Sequence, residues 1–235
     1  MNTENNRLNE WFVPKFGPRR FRIFVGMLFL PYTGMCVSFA VLGTLLPAQI
    51  IWDRVFAITA IYALGLGLAA HAADNLGSRN LKPWGSYFSH KQLWFVVLAG
   101  LASAYSIGIY YMIFFTPMLW LIAILEGFFV FAYNFELFKG LFHTDVWFSV
   151  SWGTLPVIAG FVIQTNHIEN LPLILSGITG LMSYAHIKVS KKYKERKRNG
   201  LTDAGTAKLE LALKSISLTT IASVATFAIL RTVIG

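Results

Sequence analysis

The chain has 235 residues, 55% of them hydrophobic and 13% charged, with a formal net charge of +9. Soluble domains average roughly 25% charged residues, so the composition excludes an ordinary water-soluble globule. The basic excess lies beside apolar stretches, where anionic lipid headgroups are the natural counter-charge, which excludes nucleic acid as the partner; a single cysteine, Cys36, excludes an intrachain disulfide.

In chain order, residues 1–20 read as a cytoplasmic tail, and 21–235 as one transmembrane helical domain. In the tail, Leu8, Trp11, Phe12, Val13 and Phe16 interleave with Arg7, Glu10 and Lys15. That mixture predicts a short interfacial helix ending before Gly17-Pro18. Seven apolar stretches follow, at 21–46, 54–75, 92–112, 116–137, 145–164, 170–189 and 206–230. A run of about 20 apolar residues matches the hydrocarbon thickness at helical rise. A backbone in lipid must satisfy its own hydrogen bonds, so each stretch is expected to be a helix. The first is too long for a signal peptide and has no convincing cleavage site, and it reads as an uncleaved span. Trp52, Trp94, Tyr110, Tyr111 and Trp147 stand near predicted span ends, where aromatic belts form. Pro31 and Pro156 are positioned to kink their helices, and Gly65, Gly67, Ala69, Ala70, Gly177 and Gly180 permit close helix contact.

Lys and Arg gather on every second loop. The tail carries Arg7, Lys15, Arg19, Arg20 and Arg22; the loop after the second stretch carries Arg79, Lys82 and Lys91; the fourth is followed by Lys139 and the sixth by the run from Lys188 to Arg198. The opposite loops hold Arg54 and Arg231 alone. This predicts an integral, multi-pass membrane protein with a cytoplasmic N-terminus and a C-terminus on the other side.

The chemistry concentrates at the end of the second stretch, Ala70-His71-Ala72-Ala73-Asp74-Asn75-Leu76-Gly77-Ser78-Arg79. His71, Asp74 and Ser78 are spaced three and four apart and share a helical face. An ionisable pair at the mouth of a membrane helix is costly and marks a functional candidate; the plainer reading is that both groups reach the headgroup region. Arg79 and Lys82 next to this carboxylate, with Lys139 and Lys188 on the same predicted side, suit a phosphorylated ligand. His71, Asp74 and His186 offer the mixed nitrogen and oxygen donors that zinc, iron or manganese accept. The run from Lys188 to Arg198 also reads simply as a lipid-facing anchor. Glu126 and Glu136 both fall in the fourth stretch, ten residues apart, and Glu126, the deeper, must find a polar partner.

These residues resemble the UbiA-type intramembrane prenyltransferases. There the second span runs into an N-D-x-x-D-x-x-x-D motif and a basic-Pro segment, and Lys82-Pro83 stands where Arg-Pro is usual. Phe135 and Lys139, then Gly153-Thr154-Leu155-Pro156 and Gly160, continue the family pattern in order. The likeness covers about residues 20–165, with weaker support to 200. It implies an all-α bundle like the UbiA fold, shortened at its C-terminal end. It also implies an isoprenoid diphosphate in a lateral membrane cavity, with its headgroup near Asp74, Asn75, Arg79, Lys82, Lys139 and Lys188. The family's cofactor is magnesium, and its reaction is prenyl transfer to a lipid or aromatic acceptor. The departures are specific. Ala70, His71 and Ser78 replace an Asn and two Asp, leaving Asp74 alone; Phe135 replaces a tyrosine; and the sixth stretch ends in Ser183-Tyr184-Ala185-His186-Ile187-Lys188, without a carboxylate. Two functions stay open. One is an atypical prenyltransferase whose cations assist ionisation. The other is a non-catalytic relative that binds an isoprenoid or quinone-like lipid, or serves as a structural subunit among other membrane subunits. No catalytic residue is assigned, and a transporter lacks an evident inverted repeat.

Overall fold

The computed structural model describes residues 7–78, 84 and 87–234. Among them every regular element is helical. The first rod joins α1 (Arg19–Met27) to α2 (Leu30–Thr44). The second runs from α3 (Trp52–Tyr62) through a π-helical segment, Ala63–Ala70, into α4 (His71–Gly77). Then come α5 (His90–Phe114) and α6 (Leu119–Asn134). The fifth rod is α7 (Asp145–Ser149), a π segment Val150–Thr154, and α8 (Leu155–Thr165). Two long helices, α9 (Asn170–Arg198) and α10 (Ala204–Ile234), complete the chain.

Local chemistry explains the boundaries. Ser89 and Gln92 form a reciprocal capping box at the start of α5, with bonds of 3.2 and 3.0 Å. The Thr144 hydroxyl accepts from the Trp147 amide to start α7. Pro31 stands just after the break between α1 and α2, where Phe29 takes a left-handed φ of 45°, and Pro156 follows directly on the π segment of the fifth rod.

The core sits around α2, which packs against α8, α10 and α3. Gly43 of α2 and Gly160 of α8 let the two backbones touch: a Cβ on Gly43 would meet the Val157 carbonyl, and one on Gly160 the Ala40 carbonyl. α5 packs on the π segment and α4, and only lightly on α6.

The chain is an all-helical, multi-pass membrane protein. Five rods among the described residues are long and apolar enough to cross a bilayer: Arg19–Thr44, Trp52–Gly77, His90–Phe114, Asp145–Thr165 and Ala204–Val233. The fourth predicted stretch is the shorter apolar helix α6, and the sixth is α9, whose C-terminal end is strongly basic. The tail differs from the expected interfacial helix. Residues 8–17 are turns and bends, and Glu10 and Val13 are buried against the bundle. Arg22 holds this segment down by donating to the Pro14 and Leu8 carbonyls at 2.7 and 2.9 Å.

Candidate functional site

The π segment leads directly into the Asp74 face. His71 Nδ1 lies 2.7 Å from the Leu66 carbonyl, five residues back. A carbonyl has no proton to give, so Nδ1 carries the proton and Nε2 is the free acceptor. The ring meets the edges of Phe29 and Trp152. From α9, His186 stacks on Tyr32 at 4.9 Å between centroids, and its Nε2 is 3.3 Å from the Ser217 hydroxyl. Both histidines therefore border one aromatic box, completed by Phe148. Three buried polar atoms there, Tyr32 Oη, Ser183 Oγ and His186 Nδ1, have no hydrogen-bond partner among the described residues.

Asp74 has Arg7 and Lys194 as its electrostatic neighbours. Burial depresses Lys194 to about 8; repulsion from Arg7 and Arg198 adds to this, and Asp74 and Glu10 oppose it. Burial likewise lowers Arg7, against the pull of Glu10 and Asp74. Glu10 and Glu210 meet on one phenol: Tyr193 Oη is 2.7 Å from one carboxylate and 2.9 Å from the other. Burial and these two acceptors push the Tyr193 phenol up. A cavity of about 10 Å³ remains among Arg7, Glu10, Tyr32, His186, Lys194 and Ser217. That is the room of a single water. The tail thus occupies the mouth that the sequence assigns to a diphosphate.

Among the described residues the cations in electrostatic reach of Asp74 are Arg7 and Lys194. Asn75 is fully buried and accepts from the Trp84 amide at 2.9 Å, so its side chain is committed to Trp84. Arg79 and Lys82 lie outside the described residues. Lys139 is exposed on a left-handed turn, with φ 61°. Lys188 pairs with Asp145 at 3.0 Å, and Lys191 joins the same carboxylate. Among the described residues no three His, Cys, Asp or Glu side chains gather to hold a metal ion. His71, Asp74 and His186 are therefore not brought together as a ligand set. Magnesium wants several oxygen ligands; among the described residues the carboxylates near this mouth are Asp74 and Glu10, both beside Arg7 and Lys194. The signal for Lys194 was present in the sequence: His186, Ser190, Tyr193 and Lys194 share one face of a helix.

A second place was missed as a cavity. About 100 Å³ lies between the α3–π rod, α5 and α6, lined by apolar chains with Tyr62, Tyr105 and Glu126. Gly65, Gly108 and Gly127 keep it open by omitting side chains. Tyr62 Oη donates to Glu126 Oε1 at 2.8 Å. Tyr105 Oη donates to the Ala123 carbonyl at 2.7 Å, passing over Gly127. Because α5 and α6 touch so lightly, the cavity borders the outer surface of the bundle. That surface carries Phe95, Leu121 and Ile124, all well exposed.

Comparison with protein-family models, with characterised proteins and with solved structures finds no match.

Proposed function

We propose that this protein crosses the membrane seven times, with its N-terminus in the cytoplasm, and holds an isoprenoid lipid in a lateral cavity, as a UbiA-like relative without magnesium-dependent transfer. The observation that carries the reading is the apolar cavity of about 100 Å³ between α3, α5 and α6. Small-molecule sites are concave and mostly apolar, with a few placed polar groups. A cavity beside two lightly packed membrane helices is reachable from the bilayer. Membrane lipids, and other membrane subunits docked on the apolar exterior, are its partners.

A second reading, prenyl transfer with a cation clamp, is favoured by Arg7 and Lys194 beside Asp74. It requires the tail to leave the mouth.

Native mass spectrometry of the purified protein, together with a transfer assay using prenyl diphosphates and phenolic acceptors, tests both. The expected result is a bound isoprenoid and no pyrophosphate release that magnesium restores after chelation. The cavity-filling change Gly108→Leu should remove the bound lipid. Robust magnesium-dependent turnover, or a protein that carries no isoprenoid, overturns the proposal.

A further inference from the structure

Resting on that reading, we propose that the end group seated in the cavity is a neutral hydroxyl held by Glu126, so that the ligand is an isoprenoid alcohol rather than a diphosphate. Three observations converge. First, the carboxyl is under-supplied. Tyr62 gives its only proton to Glu126 Oε1, and Tyr105 gives its own to Ala123. Among the described lining residues no other hydroxyl, amide or charged side chain faces the cavity. The second oxygen of Glu126 is thus left for a ligand. An intramembrane acidic group without a full set of partners is a functional group by default.

Second, no cation among the described residues lines this cavity. A diphosphate beside a carboxyl, with few dipoles between them, would meet repulsion that water cannot screen. A hydroxyl avoids this. It donates to a carboxylate and accepts from a carboxylic acid, so it is matched in either ionisation state. A ketone or ether offers acceptors alone.

Third, the size fits an end group. A cavity of roughly 150 Å³ holds benzene in a well-studied engineered case; about 100 Å³ admits a headgroup with its first branched carbons. The remaining chain must leave between α5 and α6, where the helices touch lightly. The wall opposite is the π segment, which contributes Gly65 and Leu66. Such wide turns recur at functional sites.

The test uses the full chain in detergent micelles and four probes: geranylgeraniol, its methyl ether, its amine and its diphosphate. Competitive binding should favour the alcohol over each of the others by about tenfold or more, the scale of one hydrogen bond to a charged partner. Glu126→Leu should erase that preference while the ether still binds. Glu126→Gln, which keeps donor and acceptor atoms, should retain an intermediate preference and serves if the leucine variant fails to fold. Gly108→Leu leaves Glu126 in place and should lose all four probes. Equal binding of alcohol and ether, tighter binding of the amine or diphosphate, or a preference that survives both Glu126 changes overturns the inference. If the four bind alike, the lipid-binding reading stands without it; if none binds, both fall.

Discussion

Lys194 is a cation held where water is scarce, and that gives it a testable signature. Its ammonium group is depressed from 10.5 to about 8, chiefly by burial and then by Arg7. Between those two values the unfolded chain holds a proton that the folded chain has released. Stability therefore rises with pH across that window; below about 8 both states are protonated and the penalty is constant. Thermal unfolding of the detergent-solubilised protein should show the rise, and Lys194→Met should flatten it and raise the midpoint near neutral pH. A variant with the same slope as the parent would remove Lys194 from the buried cluster. The same residue marks a limit of sequence reading. His71 and Asp74 were legible because helical spacing puts them on one face. The meeting of Arg7 with Lys194 was not, because it forms only when the tail folds back on α9. A predicted side of the membrane is also not a distance: Lys188 shares a side with Asp74, yet Asp145 at the start of α7 is the carboxylate within reach.

At the scale of elements, the helices were legible and their contacts were not. An apolar run long enough to span lipid must be helical, but the π segments carry no pattern that distinguishes them from α-helix. Small residues mark possible crossings without saying which are used. Gly177 reads as a packing residue, yet a Cβ there meets nothing within 4 Å. Gly160, which the sequence offers only as part of a motif, touches the backbone of α2. The two make a matched pair. Gly160→Ala forces α8 away from a backbone carbonyl that has no rotamer to yield, a cost of about 1–3 kcal/mol or more. Gly177→Ala adds a methyl in open space and gains helix propensity, roughly 0.5–1 kcal/mol at most. Unfolding in mixed micelles should therefore show opposite signs. A neutral Gly160→Ala would mean that α2 and α8 separate without loss.

For the whole molecule, the number of crossings follows from which ends of the rods meet. Arg7 lies over Trp84 at 4.6 Å, and Glu10 bonds Tyr193, so the tail, the loop after α4 and the end of α9 share one end of the bundle. Gln164 exchanges bonds with Ile51, the Met118 amide donates to Asn166, and Arg231 reaches Ala48, so three connections and the C-terminal end of α10 share the other end. The 16 residues of α6 reach about 24 Å, short of a hydrocarbon core of about 30 Å. Were α6 to turn back without crossing, Met118 and Asn166 would be divided by the single crossing of the fifth rod, which their hydrogen bond forbids. Were α9 to turn back, Tyr193 would stand with Asn166 and not with Glu10. Both helices, α6 with 16 residues and α9 with 29, are therefore expected to cross. Single cysteines at Met118, Lys139, Ile168 and Arg198, introduced with Cys36→Ser, read this directly. In intact cells an impermeant maleimide should label positions 118 and 168, and should label 139 and 198 only after permeabilisation. The positive-inside distribution of Lys and Arg predicts that 139 and 198 face the cytoplasm, and the alternation itself tests the crossings. Like labelling of 118 and 139 would remove α6 from the membrane, and like labelling of 168 and 198 would remove α9.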